Sequence, residues 1–152
     1  MRVESIGAMI EWTRDLHGQL AEALSAGHRI QQDERAKWLL EYLRAQESRL
    51  GEMVEGFQEQ ADEKALHTRV YDWEAHTPLE IASLSDKPYG TMTYDAIAED
   101  VLESQTQIIQ LYEYLLSRAS ISEEQELIKA LLNMEEHETM QMSQSINRGR
   151  DM

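Results

Sequence analysis

Proline is almost absent from this chain. Its 152 residues include two prolines and seven glycines, and both prolines, Pro78 and Pro88, stand near the middle. A glycine costs about 1 kcal/mol in a helix interior and a proline about 3. The segments on either side are therefore free to run as long helices, and apolar residues recur in them at helical spacing.

Four long helices follow from this pattern. The first is expected over about Ile6 to Ser25, on a stripe of Ile6, Met9, Ile10, Thr13, Leu16, His17, Leu20 and Leu24. Gly27 suits the left-handed residue that ends a helix. The second is expected from Glu34 to Glu63, with Asp33 as its N-cap and an apolar line through Ala36, Leu39, Leu40, Leu43, Leu50, Val54 and Phe57. A third runs from about Thr93 to Ala119 through Ile97, Val101, Leu102, Ile108, Ile109, Tyr112, Leu115 and Leu116. The fourth starts at Ser122, where Ser122 and Gln125 have the spacing of a capping box, and is expected to reach Asn147, with the tail fraying after Gly149.

Short links join the first helix to the second and the third to the fourth, which makes each pair antiparallel neighbours. Residues 64–92 form a long crossover between the two hairpins. Within it Thr77-Pro78-Leu79-Glu80 reads as the start of a short helix ending near Ser85. The aromatic stretch around Tyr71 and Trp73 is expected to pin the crossover across the helices, or to form a binding edge. The fold class is all-α, and residues 1–152 read as one domain.

Composition narrows the function. Hydrophobic residues make up 41% and charged residues 28% of the chain, which suits a folded core. Asp and Glu total 29 against 14 Lys and Arg, a formal charge of −15. Such a surface repels phosphate backbones and anionic lipid, so neither nucleic acid nor membrane is an expected partner. With no cysteine, thiolate catalysis, Cys-ligated zinc and iron–sulfur clusters are excluded. No apolar run is long enough to span a bilayer, and Met1-Arg2-Val3-Glu4-Ser5 is not the start of a signal peptide. A cytoplasmic protein is expected. The sequence holds no glycine-rich phosphate loop, Gly-x-Ser-x-Gly or His-Glu-x-x-His.

The two hairpins, the crossover and the segments Leu111-Tyr112-Glu113-Tyr114-Leu115 and Leu132-Asn133-Met134-Glu135-Glu136-His137-Glu138 resemble the ferritin-like superfamily, and within it the rubrerythrin-like four-helix bundles. The resemblance implies a di-iron or di-manganese centre in the bundle core, with a Glu from each of two helices and a Glu-x-x-His pair from each of the others. Aligned on that pattern, Glu47 and His137 match metal ligands. The other positions read Ile10, Leu50, Gln105 and Met134, with Glu135 and Glu136 out of register. A single-ion variant would join Glu47 and His137 to Glu136, or to Glu135 or Glu138.

Another reading of the same residues is a core polar cluster of Thr13, His17, Glu47, Gln105, Tyr112 and His137, satisfied by mutual hydrogen bonds and waters. The expectation that follows is a non-catalytic ferritin-like bundle acting as a binding or regulatory module, its metal site largely lost and no cofactor bound. It would work as a homo-oligomer, with a dimer favoured, since Trp12 and Trp38 sit at the edges of their stripes. Alternatives are a divergent iron or manganese oxidase or peroxidase, an iron-binding protein, or a binder of small apolar ligands in the core.

Overall fold

The computed structural model describes residues 5–70, 84 and 86–151. Among them are five α-helices: α1 (Ile6–Ile30), α2 (Glu34–Gln60), a single turn α3 (Glu63–Leu66), α4 (Tyr94–Arg118) and α5 (Ser122–Arg150), with a 3-10 turn at Tyr89–Thr91 before α4. The fold is all-α, and no described helix is long and apolar enough to cross a membrane.

Short polar side chains set the helix starts. Ser5 accepts the Ala8 N–H at 3.1 Å, Asp33 that of Ala36 at 2.9 Å, and Thr93 that of Ala96 at 3.2 Å. Each satisfies one of the backbone donors that a helix leaves unpaired at its first turn. α5 differs from the expected capping box. Ser122 is already helical, Ile121 stands at the cap without a side-chain bond, and Glu124 instead accepts the Ser120 N–H at 3.0 Å.

The ends depart from expectation where packing overrides local preference. α1 does not stop at Gly27 but runs on to Ile30. Gly27 is there because the 3-10 turn lies on it: a β-carbon added at Gly27 would stand 2.6 Å from Tyr89 Cβ. Gln31 then holds the turn, its amide donating to the carbonyls of Tyr89 and Met92 at 3.0 Å each. α2 ends at Gln60, three residues before the expected Glu63, and Asp62 caps the separate turn α3 through the Lys64 N–H at 2.8 Å. α5 continues through Gly149 to Arg150. Gly149 is buried against Trp38 and Tyr94, and the Tyr94 hydroxyl donates to the Ile146 carbonyl at 2.7 Å. The helix thus reaches three residues beyond the expected Asn147.

α1 packs along α2 and α4 along α5, and α2 also meets both α4 and α5. Three-residue links, Gln31–Asp33 and Ala119–Ile121, turn the chain within each pair. One apolar cluster draws on all four long helices, with Ile10, Leu16, Leu20, Leu40, Leu43, Leu50, Val101, Ile108, Ile128 and Leu131 fully enclosed. Each such side chain contributes roughly 1.5–3 kcal/mol of burial free energy. The crossover opens by pairing back onto the start of α1, where the Ile6 N–H donates to the Thr68 carbonyl at 2.8 Å. The expected short helix from Thr77 to Ser85, and Tyr71 and Trp73, lie outside the described residues, apart from a buried Leu84.

Candidate functional site

Four polar side chains, one from each long helix, meet inside the apolar cluster. They are His17 from α1, Glu47 from α2, Gln105 from α4 and Glu135 from α5, and each has zero exposure. Their places follow from helical periodicity. Glu47 lies four residues after Leu43, and Gln105 four after Val101. Glu135 lies four after Leu131 and seven before Met142, all on buried faces. Residues spaced this way share one side of a helix.

Glu135 is the member that the ferritin-like register misses. Aligning on His137 selects Met134 and sets Glu135 aside, yet Glu135 points into the centre. His137 stands two residues further on, about 200° round the helix. It is exposed, with Nε2 3.2 Å from the Gln141 amide nitrogen. Glu136 is exposed as well. The structure thus does not bring His137 or Glu136 to Glu47. The apolar line of α5 carries the signal for Glu135, since the i+4 and i+7 rule points to it without any family template.

His17 is the hub. Its Nδ1 is 2.7 Å from Glu47 Oε1, and its Nε2 is 2.8 Å from Glu135 Oε2. Burial by itself would push the imidazole pKa down. The charges of Glu135 and Glu47 and their hydrogen bonds outweigh it and hold the group up to about 10. The two carboxylates thus favour the protonated form of the ring. Glu47 is pushed up by burial, against the opposing pull of His17. The Gln105 amide donates to Glu135 Oε1 at 3.3 Å and to Thr139 Oγ1 at 3.1 Å. One network thus ties together all four long helices.

A second small network lies on the α1–α4 side. The Tyr112 hydroxyl donates to Thr13 Oγ1 at 2.9 Å, and the Thr13 hydroxyl to the Ile10 carbonyl at 3.0 Å. Burial, and next the Glu135 charge, hold the Tyr112 phenol well above its usual pKa. The side chains expected to cluster with Glu47 are thus divided: His17 and Gln105 join the carboxylates, Thr13 and Tyr112 bond to each other, and His137 stands on the exposed face of α5.

The six-ligand pattern of a ferritin-like centre is incomplete here. Among the described residues, both nitrogens of the one imidazole at the centre face carboxylates, and Leu50 and Ile10 supply no ligand atom. Among the described residues no group of three or more His, Asp or Glu side chains is arranged to hold a metal ion. Nor is the centre open to a substrate. A general acid or base must come within hydrogen-bond reach of the proton it moves, and these four residues expose no surface. Two cavities among the described residues lie elsewhere. A groove of about 540 Å³ runs between α1 and α2 past Gly18, Ser48 and Gly51. A cavity of about 330 Å³ sits beside Ile6, Val70, Tyr114 and Arg118. Neither is lined by His17, Glu47, Gln105 or Glu135.

Compared with protein-family models, with curated proteins and with solved structures, this chain finds no match.

Proposed function

We propose that this chain is a non-catalytic, ferritin-like four-helix bundle serving as a binding or regulatory module, in which an ion-paired polar lock occupies the place of a di-metal centre. One observation carries the reading: His17 spends both ring nitrogens on Glu47 and Glu135 in a sealed interior. A catalytic bundle needs ligand atoms left free for ions and a route for substrate. A polar lock needs neither. Its role is to fix which faces of the four helices meet, because any other packing strands a buried charge.

As a module the protein acts through its exterior, and we include a homodimer in the proposal. Trp38 is 39% exposed and stacks on Tyr42 with ring centres 5.6 Å apart. Aromatic side chains of this kind are enriched at interfaces. Sedimentation analysis of the wild type and of Trp38→Ala tests that part, and a wild-type monomer at micromolar concentration refutes it.

The competing reading is a divergent iron or manganese oxidase. Metal analysis of protein purified without chelator, after addition of ferrous or manganous ion, separates the two. The proposal expects no stoichiometric ion, and two tightly held ions per chain would overturn it.

A further inference from the structure

The cavity beside Ile6 differs in charge from the molecule around it. The chain as a whole carries −15. Yet two arginines, Arg69 and Arg118, line this space of about 330 Å³ against a single carboxylate, that of Glu124. Among the described residues neither arginine is engaged in a salt bridge; the lysine and arginine ion pairs are made by Arg14, Arg44, Arg49, Lys87 and Arg150. Glu124 is buried, and its Oε1 accepts the Ser120 N–H at 3.0 Å.

The fold holds both cations in place. α4 ends at Arg118, whose guanidinium carbon lies 5.4 Å from the centre of the Tyr114 ring, one turn earlier. A guanidinium stacked by its face keeps the N–H groups of its edge available, and the ring limits the freedom it would lose on binding. Arg69 stands on the backbone bridge to Ser5, next to the Thr68 carbonyl that receives the Ile6 N–H. Both arginines are exposed and so stand towards the mouth. The floor is apolar: Ile6 and Leu115 are buried, and Val70 is half-buried.

These walls select a ligand chemistry. A guanidinium edge matches a carboxylate with two parallel N–H···O bonds. The apolar floor rewards a body that leaves water. The volume lies at the small end of the range of about 300–1,000 Å³ for ligand pockets, which suits one ring or a short branched chain. Charge chooses among anions. Two guanidinium groups against one carboxylate leave a single positive charge in excess, which a monoanion balances, whereas the second charge of a phosphate would meet Glu124.

We infer that this cavity binds a small monocarboxylate with a compact apolar body, its carboxylate on Arg69 and Arg118 and its body against Ile6, Val70 and Leu115. The site gives the proposed binding module a ligand and to that extent rests on that reading.

Proton–nitrogen NMR of the folded chain at neutral pH, titrated with phenylacetate, tests it. Saturable shifts are expected at the amides of Arg69, Val70, Arg118 and Ser120. Phenethyl alcohol, the same body without the charge, should bind about tenfold more weakly or worse. Arg69→Gln and Arg118→Gln should each weaken phenylacetate about tenfold, as loss of a charge-assisted hydrogen bond entails. Arg148→Gln, an equal change of charge at the other end of α5, should leave binding unchanged. No saturable shift, shifts centred elsewhere, equal binding of the alcohol, full affinity in both cavity variants, or tighter binding of phenyl phosphate overturns the inference. None of these results touches the metal-free reading of the bundle centre, which metal analysis tests separately.

Discussion

Raising the pH from 7 to 9 should loosen this protein through one side chain, His17. Its pKa is 6.5 as an ordinary histidine and about 10 in the folded chain. A group whose folded pKa is raised adds stability that is fully present below the unfolded value and is lost as the pH climbs through the folded one. Between pH 7 and 9 the unfolded chain has largely released this proton while the folded chain retains it. At about 1.4 kcal/mol per pH unit, the loss is about 2.5 kcal/mol. In a protein of this size that corresponds to a fall of roughly 5–10 °C in Tm. Glu47, also raised by burial, acts in the same direction. Tyr89 and Tyr112, whose phenols are held above their usual value, titrate beyond the window. Thermal unfolding followed by circular dichroism at several pH values, on wild type and His17→Gln, measures the slope. The wild-type Tm should fall steadily, and the variant, less stable at pH 7, should show a much flatter profile. Equal slopes in the two proteins, or a wild-type Tm that holds or rises to pH 9, would refute the argument.

Three further predictions concern individual contacts. Glu135→Ala strands His17 and should cost about 3–5 kcal/mol, whereas His137→Ala, on the exposed face of the same helix, should stay within about 0.5 kcal/mol; denaturant midpoints compare them, and the reverse order would place His137 in the centre. Gly27→Ala drives a β-carbon to 2.6 Å from Tyr89 Cβ and should destabilise by about 1–3 kcal/mol. A stabilised variant, as helix propensity alone would give, means that the turn does not rest on α1. Tyr112→Phe removes one buried hydrogen bond to Thr13 and should cost about 1 kcal/mol while leaving the pH slope of Tm unchanged, because the Tyr112 hydroxyl does not touch His17. A changed slope would join the two networks.

How much of the centre is legible in the sequence differs from residue to residue. Glu47 and Gln105 can be read directly, since each interrupts an apolar line at a four-residue step. His17 lies on such a line too, although nothing in the sequence says what it bonds. Glu135 is hidden because a family register anchored on His137 turns the helix by about 200°, whereas the apolar line of α5 itself points to Glu135. Helix ends show the same division. Ser5, Asp33 and Thr93 act through their own next turn, so their caps are visible locally. Gly27 and Gly149 have the sequence character of helix terminators, and both are instead sites of close packing against residues distant in the chain.

The sequence by itself determined that this chain is helical, where its four long helices begin, and which face of each is apolar, because those properties depend on residues within one or two turns of each other. Only the tertiary structure decided that a histidine from α1 would stand between a glutamate from α2 and another from α5, 30 and 118 positions away. The charge of −15 with which the chain presents itself says nothing of this. The chemistry of the interior turns on three ionisable groups whose protonation depends on burial and on each other, and both come into being only when the helices pack.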